Sequence, residues 1–358
     1  MSESILALEP SLYTDPEIFR REQASVLAKT WQFAGHVSQL EKPGDYFTCQ
    51  VAGENIVCLK DEANEIRAFY NVCQHRAHEL VNGSGCSRLL VCPYHSWSYE
   101  LNGRLKSAPN SETTATFDRS KIALKEVRHE VFLGFIFINL DPGTRPMDEW
   151  YPGVREELLP YVPGIERLKP VLWNDIPENC NWKVSIENYS ECYHCPVNHP
   201  ALMSGVVKPE TYDIQPQGHC LRHKTECQNL DKMSYEIDLD SNEYAGKYST
   251  WYLWPMFSFQ VYPGNILNTY HWRTDRHDRV TVTRGWFTEG GEESKTIREL
   301  AQQDLDTTVA EDIGLVESVN RGLHSRGYEA GQLVIDPAGG LRSEHSLHAM
   351  QNWYRELL

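Results

Sequence analysis

Two short cysteine-histidine pairs, Cys73-x-His75 and Cys92-x-x-His95, stand sixteen residues apart and constrain this chain more than anything else in it. Thiolate and imidazole donors at that spacing suit two hairpin loops that clamp metal between them. Each loop offers one donor of each kind. One iron can then take both thiolates and a second both imidazoles, which describes a mixed-ligand [2Fe-2S] centre; a single tetrahedral zinc is the alternative. Zinc motifs more often group both cysteines in one pair and both histidines in the other, so the donor order favours iron. Cys86 lies between the loops, fits neither pair and is expected to fill space.

The chain has 358 residues, 41% apolar and 23% charged, enough for two domains and a large core. Its net charge of -16 would repel nucleic-acid phosphates and anionic membranes. The first residues lack the basic start and small-residue cleavage site of a secretory signal. The longest apolar run, Val131 to Leu140, is about half a membrane span. A cytoplasmic protein is expected, in which ten cysteines serve as metal ligands or buried thiols rather than bridges.

Residues 1–40 read as an N-terminal helical segment packing on the C-terminal domain. Thr14 and Asp15 are candidate caps, Pro16 sits in the first turn, and Ile18, Phe19, Val26, Leu27 and Trp31 recur with helical spacing. Residues 41–145 form a β-domain of short runs such as YFTCQVAG, NIVCLKD and FLGFIFINL. A Pro- and Gly-rich linker leads into 146–358, where 293–323 is helical with an apolar stripe through Ile297, Leu300, Leu305, Val309, Ile313, Val316 and Val319.

The second constellation is ENYSECYHCPVNHP, from Glu187 to Pro200. An offset of five residues turns His199 by about 140° from His194 on an unbroken helix, but Pro196 distorts that turn. The two imidazoles can then converge on one ion. Two imidazoles and one carboxylate make the facial triad of non-haem Fe(II) sites. Asp312 is the candidate carboxylate, with Glu311 its competitor and a solvated helix face the plain alternative. Glu191 precedes His194 by one helical turn, where it can accept a ligand N-H. Cys192 and Cys195 read as buried thiols.

CQHRAHELVNGSGCSRLLVCPYHSWSY, NWKVSIENYSECYHCPVNHP and EDIGLVESV together resemble the α-subunit of Rieske non-haem iron oxygenases over nearly the whole chain. The resemblance implies an α+β fold, with a Rieske-type β-domain before a helix-grip-like catalytic domain of antiparallel sheet plus helices. It implies that Cys73, His75, Cys92 and His95 hold a Rieske [2Fe-2S] cluster and that His194, His199 and Asp312 hold a mononuclear Fe(II). Asn188 would lie near that iron, and Glu191 would bridge the cluster of one subunit to the iron of the next. It further implies a homotrimer and an NAD(P)H-dependent flavin and iron-sulfur reductase.

Most ring-hydroxylating members carry Asp at the position of Glu191. The E-C-Y-H-C form resembles the branch acting on quaternary ammonium compounds such as carnitine, glycine betaine and proline betaine. The expected reaction is O2-dependent N-demethylation or C-N cleavage of such a small molecule; aromatic ring hydroxylation is the alternative. Trp251, Tyr252, Trp254, Phe257, Phe259, Tyr262, Tyr270 and Trp272 include rings that can wall a pocket for a trimethylammonium group, though strand alternation alone places about half of them in a core. His219, Arg222, His223 and Lys224 are candidates for holding a substrate carboxylate.

Overall fold

The computed structural model describes residues 4–358, which fall into two units. One is Leu27–Thr144; the other joins the described residues up to Val26 with Arg145–Leu358. None of the described helices is long and apolar enough to cross a membrane.

The Leu27–Thr144 unit is built from three antiparallel sheets. The strand Glu54–Lys60 explains how they share a core: Ile56, Val57, Cys58 and Leu59 are all fully buried. Because side chains alternate across a strand, Val57 and Leu59 join a cluster with Cys73, Leu80, Leu90, Cys92 and Tyr99. Ile56 and Cys58 join another with Phe47, Ala68, Ile136 and Ile138. Burial on both faces replaces the alternating pattern of a half-exposed strand with one continuous apolar run. Leu90–Val91 and Ser98–Tyr99 are strands of two residues each, flanking the second cysteine-histidine loop. Cys86 is exposed rather than filling space.

The other unit carries a seven-stranded antiparallel sheet. Across the sheet the strands run Leu168–Glu178, Arg279–Glu289, Ile266–Arg276, Phe257–Tyr262, Lys247–Leu253, Cys220–Glu226 and Asp213–Gln217. With its helices, this gives the α+β architecture expected. The helix Trp182–Tyr189 is started by Asn181, whose side chain accepts from the Lys183 N-H at 3.0 Å. Asp15 likewise caps Pro16–Glu22, with Pro16 in the first turn. That helix is shorter than the sequence suggested: a π-helical turn, Gln23–Leu27, follows it, and a strand begins at Gln32.

A second π-helical turn, Leu305–Val309, separates Lys295–Asp304 from Ala310–Leu323. The wider turn rotates all later residues about the axis. The expected stripe is therefore broken: Ile297, Leu300 and Val316 are buried, but Val319 is 52% exposed.

Candidate metal centres and substrate cavity

The two cysteine-histidine loops are built alike. In the first, the Cys73 N-H donates to His78 O and the Ala77 N-H to Cys73 O; in the second, the Cys92 N-H donates to Trp97 O and the Ser96 N-H to Cys92 O. Ala77 and Ser96, each four residues after its cysteine, both take positive φ, 58° and 59°. Each loop thus folds back so that its cysteine points into the core and its histidine outward. Cys73 and Cys92 are buried, whereas the His75 and His95 rings meet near the surface with centroids 4.7 Å apart. His75 stacks on Trp97 at 4.5 Å, and the Tyr99 hydroxyl lies 3.2 Å from Cys73 Sγ. The buried His95 Nδ1 has no hydrogen-bond partner. Two buried sulfurs and two outward imidazoles, one of them with an orphaned nitrogen, fit a mixed-ligand [2Fe-2S] cluster.

In the other unit the helix carrying Glu187 and Asn188 stops at Tyr189. Two prolines then divide the chain into short pieces, Cys195–Asn198 and Pro200–Gly205, with His194 and His199 at their respective N-cap positions. The helical offset between the histidines no longer applies, and their Nε2 atoms lie 3.0 Å apart. Asp312 Oδ1 stands 3.1 Å from His199 Nε2 and 3.7 Å from His194 Nε2. This oxygen is buried and lacks a properly directed hydrogen bond.

The outer edges of both rings are held by carboxylates. Glu191 Oε1 takes His194 Nδ1, and Glu311 Oε2 takes His199 Nδ1 at 2.7 Å. Asp312 and Glu311 therefore divide one imidazole between them, Asp312 on the inward nitrogen. Burial would lower the His199 pKa, but the Asp312 and Glu311 carboxylates outweigh it and raise the value. The three convergent atoms thus form a place that favours positive charge, and their donor set fits a divalent iron.

Two local expectations are corrected. Glu191 is not on a helix with His194; it lies beyond the helix end and reaches back through a turn, also accepting from the His194 N-H at 3.3 Å. Cys192 and Cys195 are disulfide-bonded rather than free, because this stretch is an irregular turn that brings their Cα atoms to 4.9 Å. Cys195 Sγ lies within 4.8 Å of the two histidine donor atoms. Its sulfur is already bonded to Cys192, which leaves Asp312 as the anionic donor.

A cavity with about 840 Å³ of atom-free space, part of it continuous with solvent, opens over these donors and against the sheet. Asn188 lines it with Glu191, His194, His199 and Asp312. Strand parity decides which aromatic residues reach it. Tyr270 and Trp272 share a face of Ile266–Arg276, and Tyr262 joins them from the neighbouring strand. Phe257 and Phe259 take the opposite parity to Tyr262, and Trp251 turns away to bond Glu157 at 3.0 Å. Tyr252 is buried behind the wall, with its ring centroid 6.0 Å from that of Tyr189 and 5.7 Å from that of Trp272, and Trp254 packs on His219 and Trp353 instead.

Of the four candidates for holding a substrate carboxylate, His219, Arg222, His223 and Lys224, only His223 lines the cavity. Arg222 and Lys224 are both held by Glu157, at 2.9 and 3.0 Å, and His219 packs on Trp150. His223 Nδ1 meets the Tyr212 hydroxyl at 2.8 Å and its buried Nε2 has no partner; burial pushes its pKa down to about 3, so the ring is neutral. Sequence reasoning missed Glu178, Ser185, Tyr189, Tyr212, Tyr248, Gln260 and Asp304, which also line the cavity. Asp304 carried a usable signal, as an acid inside an amphipathic helix; the others depend on sheet register.

Residues 165–358 match the family described as "Ring hydroxylating alpha subunit (catalytic domain)", and residues 30–118 match "Rieske [2Fe-2S] domain". The carnitine monooxygenase oxygenase subunit of Acinetobacter baumannii is 33% identical over 95% of this chain and 91% of its own. The corresponding subunit of Escherichia coli K12 is 34% identical over 95% of this chain and 90% of its own. A crystal structure of the quaternary ammonium Rieske monooxygenase CntA in complex with L-carnitine superposes with a TM-score of 0.86 at 29% identity, covering 99% of this chain and 96% of that one.

Proposed function

The chain belongs to the Rieske-type ring-hydroxylating oxygenase α-subunit family, and from that premise we propose that it is the oxygenase component of a monooxygenase acting on a quaternary ammonium compound. The observation that carries this is the meeting of His194 Nε2, His199 Nε2 and Asp312 Oδ1 beneath a cavity walled by Tyr189, Tyr270 and Trp272. Similarity to proteins that carry carnitine and quaternary ammonium in their names supports the substrate class.

In this reading His194, His199 and Asp312 bind the mononuclear iron, and Cys73, His75, Cys92 and His95 bind the cluster. The metals supply electron transfer and O2 activation. The protein supplies the rest: Glu191 and Glu311 fix the orientation and tautomer of the two histidines. The aromatic wall takes a trimethylammonium group by its face, since that group has no N-H to donate. Hydroxylation of a carbon attached to the nitrogen gives a product that collapses, releasing formaldehyde from an N-methyl group or trimethylamine from the longer chain. No side chain is required as a nucleophile.

Electrons come from a reductase, which we read as an NAD(P)H-dependent flavin and iron-sulfur protein. We infer a head-to-tail homotrimer in which Glu191 links the iron to a neighbouring subunit's cluster, and a cytoplasmic location. Mass spectrometry of products tests the activity. The holoprotein, a surrogate reductase and NADH are given carnitine, γ-butyrobetaine, glycine betaine and simple arenes. Formaldehyde or trimethylamine is expected; a hydroxylated arene with the ammonium compounds untouched would reject the substrate class.

A further inference from the structure

Four acids line the cavity, and three have evident partners. Glu191 takes His194, Asp312 faces His199, and Asp304 pairs with Arg284 while accepting from the Tyr262 hydroxyl at 2.9 Å. The fourth, Glu178, ends the strand Leu168–Glu178 and is only 6% exposed. Among the described residues it has no cationic partner.

Its surroundings are neutral donors, rings and two further acids, Asp312 and Glu317, both of which oppose its ionisation. Cys180 Sγ lies 3.8 Å from Glu178 Oε2. Ser185 accepts from the Trp272 indole N-H at 2.9 Å, which leaves its own hydroxyl proton for Glu178. Trp272 stacks on Tyr270 with centroids 5.5 Å apart and meets Tyr189 edge-on at 5.0 Å. Carboxylate and rings are thus coupled through one serine.

Resting on the ammonium reading above, we infer that Glu178 determines specificity, its carboxylate supplying the counter-charge to a substrate's quaternary ammonium group held against Tyr189, Tyr270 and Trp272. A neutral arene would leave this carboxyl buried and uncompensated, which is unfavourable. A tetraalkylammonium supplies the missing charge without demanding an acceptor. Burial pushes the carboxyl up to about 7, with Ser185 opposing and Asp312 adding to the rise, so a cation nearby would favour its ionised form.

The test compares γ-butyrobetaine with 5,5-dimethylhexanoate, in which carbon replaces the charged nitrogen, by calorimetric Kd on the holoprotein. Wild type should prefer the ammonium compound. Glu178→Gln should weaken γ-butyrobetaine about tenfold or more while leaving the carbon isostere within about twofold, with iron and cluster content unchanged. Glu178→Asp, which keeps the charge, should retain the preference. Equal weakening of both ligands, an unchanged γ-butyrobetaine Kd, or lost iron in Glu178→Gln would overturn the role assigned to Glu178. A wild-type protein with no preference for the ammonium compound would instead overturn the substrate reading and this inference with it.

Discussion

His199 Nε2 lies 3.1 Å from Asp312 Oδ1 while Nδ1 of the same ring meets Glu311 at 2.7 Å, so two consecutive acids grip opposite edges of one imidazole. Their consequences on removal should differ. Asp312→Ala deletes a donor and should reduce mononuclear iron to background with the cluster intact. Glu311→Ala should keep the donors but weaken iron binding about 10- to 100-fold, the usual cost of losing a ligand's hydrogen-bond partner. Iron and acid-labile sulfide per chain, with the visible spectrum of the cluster, report both. Full iron occupancy in Asp312→Ala would remove that residue from the metal site.

Glu191 touches His194 from outside the donor set and also accepts from the backbone that follows it. Glu191→Ala should keep the cluster and, like Glu311→Ala, weaken iron binding; with Fe(II) resupplied to full occupancy it should still uncouple the enzyme, with NADH consumed at least about tenfold faster than product appears. Parallel assays of NADH oxidation and product formation decide this. Retained coupled turnover would sink the bridging role.

Much of the proposed site is legible in the sequence because its signals are local. The four candidate cluster residues lie in two loops with matching backbone hydrogen bonds, and His194 and His199 flank prolines that mark the end of regular helix. Asp312 was separable from Glu311 only by where each points, and the π-turn just before them displaces the apolar stripe by which such pointing is judged. The cavity wall was less readable for a different reason. Phe257 and Phe259 look as suitable as Tyr270 and Trp272 until the cross-strand register assigns each to a face. Glu178 gives no local sign of burial, because it ends a strand whose residues are mostly half-buried or exposed, and Asp312 and Glu317, which act on it, lie far along the chain.

Glu22 is fully buried and accepts from three donors: Lys183 Nζ at 2.5 Å, Trp182 Nε1 at 2.8 Å and the Tyr354 hydroxyl at 2.6 Å. It ties the N-terminal helix to the helix leading into the metal site and to the C-terminal helix His345–Leu357. Glu22→Ala should destabilise the unit by about 3–5 kcal/mol, since it strands the Lys183 charge. The double variant Glu22→Leu/Lys183→Met should recover much of that loss, because apolar packing replaces the pair. Scanning calorimetry at one heating rate compares them. A double variant no more stable than Glu22→Ala would show that the ammonium is not what makes the single change costly.

Glu187, on the outer side of the same helix, accepts from Tyr13 at 2.8 Å and from Gln351 at 3.1 Å. Burial raises its carboxyl pKa from 4.5 to about 7, the hydrogen bonds from Tyr13 and Gln351 and the Lys183 charge only partly opposing the rise. The folded protein therefore binds this proton more tightly than the unfolded chain. Stability from this group is present below about pH 4.5 and falls as pH rises through about 7, beyond which the loss is complete. Allowing for partial solvent access, the change is about 2 kcal/mol. Glu178, also raised to about 7, adds a loss of the same sign over the same window, so wild type alone does not isolate Glu187. Glu187→Gln does, because a neutral amide cannot ionise. Relative to that variant, wild type should lose several degrees of melting temperature between pH 5 and 7.5 and nothing further up to pH 8.5. Parallel melting curves across that range would contradict a raised Glu187 pKa and show that its carboxylate is already stabilised in the folded state.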